Sequence, residues 1–132
     1  NKPGQIAEIT KLLFDGNIDL KAINVAETAD YGILRIIADD AEKALDILIS
    51  DGFITTITPV YAIGVSNKPG GLHDLLELLN EEKINVEYMY SIFGNIRNHA
   101  YMIMKVDDAD KMEKIIADKK LRSASITDFV LN

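Results

Sequence analysis

Few side chains in this 132-residue chain are equipped for covalent or metal chemistry. Cysteine is absent, so there is no thiolate nucleophile, no thiolate metal site and no disulfide framework. The two histidines, His73 and His99, lack any ligand spacing, and His73 is expected on the solvent face of a helix. The serines fall near strand ends or turns, and no serine, histidine and acid form a recognisable motif. No glycine-rich phosphate loop is present. The sequence therefore predicts no enzyme, no metal site and no cofactor. The remaining chemistry is that of two short loops and two aspartate pairs. In Asn1-Lys2-Pro3-Gly4 and Asn67-Lys68-Pro69-Gly70 the proline presets a turn and the glycine lets the chain bend sharply into the next element. Asp39-Asp40 and Asp107-Asp108 offer carboxylate oxygens to helix N–H groups, which makes them capping residues before anything else.

The elements that must position these residues repeat. The Asn-Lys-Pro-Gly segment recurs 66 residues on, and the same offset carries Ile6, Ile9, Leu12 and Leu13 onto Leu72, Leu75, Leu78 and Leu79, and Ile18 onto Ile84. The aspartate pair recurs at an offset of 68, so the second copy holds two extra residues, expected at a hairpin tip around Asn95 to Asn98. Within each copy, one apolar stripe at helical spacing marks a first helix, Gln5 to Asp15 and Gly71 to Glu82. Alternation with β-branched and aromatic residues marks a strand pair: Ile18 to Ala26 with Gly32 to Ala38, and Ile84 to Phe93 with His99 to Val106. A second helix comes after each aspartate pair, with Ala41, Ala44, Leu45 and Leu48, or Ala109, Met112, Ile115 and Ile116, on its apolar face. Closing strands are predicted at Phe53 to Thr58 and Ser123 to Leu131. Val60 to Ser66 reads as the opening strand of the second copy, set apart by Pro59. The second copy is complete as β-α-β-β-α-β, whereas the first lacks its opening strand, which leaves a gap in the sheet. A short apolar segment is expected to precede Asn1, and an intact mass showing a native chain that starts at Asn1 would overturn that.

The order of elements is α+β: two ferredoxin-like βαββαβ units in tandem, residues 1–59 and 60–132, with antiparallel sheets and helices on one face. With the Asn-x-Pro-Gly loop, the apolar stripe behind it and an Ile-Asp-Leu or Ile-Asn-Val opening of the next strand, the chain resembles the ACT domain family over essentially its whole length, twice. The resemblance implies a regulatory small-molecule sensor that binds an amino acid at a seam between units. It implies ligand contacts from Asn1, Pro3, Gly4 and Asp19 in the first unit, and from Asn67, Pro69, Gly70, Gly71 and Asn85 in the second. The chemistry of those residues agrees. Backbone N–H groups at a helix start, opened by Gly70 and Gly71, suit a carboxylate. An asparagine amide serves either end of an amino acid, whereas Asp19 accepts from an ammonium and repels a carboxylate. The second unit is therefore the better half-site. The alternative is an ACT pair without a ligand that serves oligomerisation or protein interaction.

A net charge of −7 opposes binding to nucleic acid or an anionic membrane surface. Tyr88, Tyr90 and Tyr101 share a sheet without the basic residues of an RNA platform, and are expected to pack against a neighbouring unit or chain. The longest apolar runs are short and charge-interrupted, which assigns the chain to the cytoplasm. Expected partners are a small-molecule effector, a second copy in a homodimer or larger assembly, and a separate target enzyme or transporter.

Overall fold

A computed structural model describes residues 3–27, 32–93 and 99–131. The predicted hairpin tip around Asn95 to Asn98 lies outside them. The chain divides into two units, one made of Asn1–Thr58 with Thr127–Asn132 and the other of Pro59–Ile126. Both are ferredoxin-like, built from antiparallel strands and two helices. No helix among the described residues is long and apolar enough to cross a membrane.

The first unit opens with helix α1 (Gln5–Asp15), which buries Ile9 and Leu13. The chain leaves it through Asn17, held at φ 60, and Ile18 N–H donates back to the Leu13 carbonyl at 2.9 Å. Strands β1 (Leu20–Glu27) and β2 (Gly32–Ala38) pair antiparallel, with a bulge between Leu20 and Ala22. Helix α2 (Ala41–Ser50) is next, with the Asp40 carboxylate accepting from Lys43 N–H at 3.1 Å, the capping role its residue type predicts. The far side of β2 is paired by the end of the chain: in strand β6 (Ser123–Leu131), Phe129 lies opposite Ile36 and Leu131 opposite Leu34. Phe129 and Leu131 join Ile9, Leu13, Leu34, Ile36 and Leu48 in the core. This departs from the sequence reading in two respects. The last residues pack in the first unit, and its sheet, expected to have a gap for want of an opening strand, has β6 paired with β2. A hydrophobic alternation shows that a strand exists but does not name its partner.

The second unit begins in the long strand β3 (Thr55–Ser66), which runs unbroken through Pro59 where the sequence suggested two strands. Proline is tolerated because the pairing with strand β5 (His99–Val106) spans only Tyr61 to Ser66, so no hydrogen bond of that ladder is asked of its missing N–H. Helix α3 (Gly71–Glu81), strand β4 (Val86–Ser91) and helix α4 (Ala109–Lys119) complete the unit. Within it β3 pairs with β5 and β5 with β4, all antiparallel. Ile63, Val65, Met104 and Val106 alternate along their strands onto one sheet face, where Leu75 and Leu79 of α3 and Met112 and Ile115 of α4 cover them. The exit from α3 repeats that from α1, with Lys83 at φ 57 and Ile84 N–H bonded to the Leu79 carbonyl at 2.9 Å.

Phe129 is 1% exposed. Phe129→Ala should cost about 3–5 kcal/mol of stability, read as a lowered midpoint in urea unfolding, although the residue lies more than ninety positions from Ile36, its partner across the strand pair.

Candidate functional site

The residues singled out by the sequence lie where helices begin and strands start. Gly4 and Gly70 are the residues before α1 and α3, and both take the left-handed backbone, at φ 85 and φ 88. Neither helix start carries a side-chain cap. The contrast with α2 and α4 is informative, because Asp40 and Asp108 each bond the N–H three residues on, at 3.1 Å. The first turns of α1 and α3 thus leave donors turned to their surroundings, with the positive end of the helix dipole behind them. In the second loop Gly71 N–H donates to the Lys68 carbonyl at 3.1 Å and Asp74 N–H to that of Gly70 at 2.9 Å, which closes the turn tightly. Asn67, Lys68, Pro69 and Gly70 are all exposed.

The two glycines are required for different reasons. A Cβ on Gly70 would meet nothing within 4 Å, so its backbone angle alone selects glycine. A Cβ on Gly71 would fall within 2.1 Å of the Ser66 carbonyl oxygen, so here it is space that selects glycine. The first loop has Gln5 at the equivalent place.

Asn85 does not sit with Asn67 in the unit. Ser66, next to Asn67, pairs with His99 at one end of β5, whereas Val86, next to Asn85, pairs with Val106 at the other. The eight residues of β5 separate them by on the order of 20 Å. Helix α3 runs the length of the sheet between the two asparagines. Asp19 and Gly4 are likewise held at opposite ends of α1, and Asn1 lies outside the described residues.

At the strand starts the structure shows a device that the sequence reading had only in part. Asp107 accepts from Asn85 N–H at 2.9 Å and returns its own N–H to the Asn85 carbonyl at 3.0 Å. Asp39 does the same with Asp19, both bonds being 3.0 Å, and also accepts from Asp40 N–H at 2.8 Å. In each aspartate pair the second residue caps a helix and the first clasps the open end of the strand pair. The signal for this was the repeat of both partners, Asp19 with Asp39 and Asn85 with Asp107. The exposed Asp19 carboxylate is further engaged by Lys21 Nζ at 2.8 Å, and that hydrogen bond, followed by the charge of Asp19, raises the Lys21 pKa. Asn85 is exposed at the corresponding place in the second unit.

His73 is exposed on α3, as its spacing predicts, and the Tyr88 and Tyr90 rings stack with centroids 6.3 Å apart. Among the described residues no group of three or more His, Asp or Glu could hold a metal ion.

A family model described as an ACT domain pair matches residues 1–130. Protein BT0572 from Bacteroides thetaiotaomicron has a crystal structure similar to this one, with a TM-score of 0.85 and 38% identity over 95% of this chain and 85% of that one. The acetolactate synthase small subunit from Thermotoga maritima aligns over 100% of this chain and 91% of its own, at 14% identity and a TM-score of 0.38. The regulatory subunit of aspartate kinase from Thermus flavus aligns over 55% of this chain and 54% of its own, at 15% identity and a TM-score of 0.39. A comparison with curated proteins gives no match.

The two glycines give separable expectations. Gly70→Ala should cost about 1–2 kcal/mol through backbone angle, and Gly70→Asn less, since asparagine visits that region. Gly71→Ala should cost about 1–3 kcal/mol and shift the amide resonances of Ser66 and Lys68, because the Ser66 carbonyl must move. Urea unfolding with backbone NMR reads both.

Proposed function

Since the chain belongs to the ACT domain pair family, we propose that it is a regulatory sensor of a free amino acid, read through the Asn67–Gly71 loop. The observation that carries this reading is the contrast among the four helix starts: aspartates cap α2 and α4, while α1 and α3 begin uncapped at a left-handed glycine. The exposed loop before α3 adds a polar amide at Asn67 and a turn with no side chain at Gly70 and Gly71 to crowd a ligand. A carboxylate accepts from the free N–H groups of the first turn, and an asparagine oxygen accepts from the ammonium.

Because Asn85 lies at the far end of its own sheet, a site using both asparagines takes the loop from one ACT unit and the strand start from another. A seam between units running in opposite directions meets that requirement, and a homodimer is the simplest source of one. Asp19, already paired with Lys21, makes the first unit the poorer partner for a carboxylate. Ligand binding would favour one arrangement of units over another, which is how a chain without catalytic groups passes a signal to a separate enzyme or transporter.

A thermal-shift series against the individual amino acids tests this. A ligand at a hundred times its dissociation constant stabilises the fold by about 2.7 kcal/mol, a rise of several degrees. The expected result is a selective rise that Asn67→Ala and Asn85→Ala each abolish. A folded protein that responds to no amino acid would leave the pair as an oligomerisation module.

A further inference from the structure

In the first unit, apolar side chains collect on one flank of α2. Ile47 and Ser50 face α1, because with Leu12 they line one hollow, and a Cβ on Gly16, at the end of α1, would run into Ile47 Cδ1. Leu45 and Ile49 stand two residues to either side of Ile47, about 200° from it around the helix, and so look away from α1. Beside this flank runs the opening of β3. Phe53 packs against the same core as Leu45, and Ile57, four residues along the extended chain, points to the same face. The second unit shows the same adjacency: Glu113 and Ser125, 68 residues after Leu45 and Ile57, line one cavity. Ile49 is 55% exposed and Ile57 47%. Glu113, Ala117 and Ser125 stand at the matching places of the second repeat, which therefore lacks these three branched side chains.

The flank has an acidic border. Glu42 and Asp46 are exposed one turn before Leu45 and Ile49, whereas Lys43, the cation of this helix, lies on the α1 side with Ile47. The first unit as a whole carries five Lys or Arg against eleven Asp or Glu, where the second holds nine against ten. Two copies of such a flank repel each other, and a basic segment is drawn to it. Its shape favours a helix as that segment. Leu45 and Ile49 are one turn apart on their own helix with Ile57 alongside, a strip that accepts a second helix presenting apolar residues at i and i+4.

We infer that this flank of the first unit is a docking surface for a basic amphipathic helix of another protein. Leu45, Ile49 and Ile57 take the apolar stripe of that helix, and Glu42 and Asp46 meet its lysines or arginines. Such docking rests on the regulatory reading only for what the partner is, a target under control, since the contact itself requires no effector.

The test is an NMR titration of the full chain, followed at backbone amides, with a short synthetic peptide of leucine and lysine whose leucines recur at helical spacing. A peptide of the same composition with alternating leucines is the control, because it brings the same charge without a helical stripe. Saturable shifts are expected at the amides of α2 and of Thr55 to Thr58, with the control binding at least about tenfold more weakly. Ile49→Ser, Ile57→Ser and the double change Glu42→Gln with Asp46→Asn should each weaken binding by about tenfold. All four positions are exposed, and unfolding midpoints check that the variants fold. No saturable shift, shifts centred on other elements, equal binding by the two peptides, or binding that survives the variants overturns the proposal. So does a dimer of the free chain, seen by sedimentation, that Ile49→Ser dissolves, because a second copy then covers the flank. Each of these failures leaves the amino-acid reading untouched, and the thermal-shift series decides that reading on its own.

Discussion

The first unit depends on a backbone constraint at β2. Leu34, Ile36 and Ile37 are buried along this strand, and β1 pairs only one of its edges. The N–H and C=O groups on the other edge must still find partners, because a buried backbone group without one costs as much as a lost hydrogen bond. Strand β6 supplies them and delivers Phe129 and Leu131 to the core. The pairing joins residues nearly a hundred positions apart, so the first unit cannot close until the whole chain is present. Long-range strand pairing of this kind slows folding, and the second unit, whose segments are continuous from Pro59 to Ile126, has no such delay.

A smaller constraint recurs in both units. Each strand pair opens toward the start of the next helix, where strand N–H groups and helix N–H groups compete for acceptors. Two adjacent aspartates divide the work. Asp39 and Asp107 hold the strand starts, while Asp40 and Asp108 hold the helices. The helices that begin after the proline-glycine turns have no equivalent carboxylate. An acidic cap there would satisfy the first-turn N–H groups of the helix. The distribution of caps is thus itself a statement about which helix ends are structural and which are left open.

The helices were legible because their stripes combine 3.6-residue spacing with clear stops: Gln5–Asp15 is found as predicted, and α3 ends one residue early at Glu81. The strands were legible as strands, since alternation is local. Their partners were not, which is why β6 and the passage of β3 through Pro59 came only from the structure. The site was legible as residue types and illegible as geometry. Nothing in the sequence says that the Ser66 carbonyl crowds Gly71, that Lys21 engages Asp19, or that Asn67 and Asn85 stand at opposite sheet ends.

These same details separate the two repeats. The second loop enters α3 through Gly70 and Gly71 with the Ser66 carbonyl pressed close; Gln5 at the matching place in the first repeat carries a Cβ that excludes such an approach. At the strand start, the neutral amide of Asn85 in one repeat is matched by a carboxylate in the other, and that carboxylate already has an ammonium partner in Lys21. The two strand starts therefore differ in charge: neutral and exposed at Asn85, anionic and already paired at Asp19. Duplication preserved the fold through the apolar stripes and the aspartate clasps. The Asn-Lys-Pro-Gly loop is identical in both, whereas the first helical residue, Gln5 against Gly71, and the strand start, Asp19 against Asn85, differ.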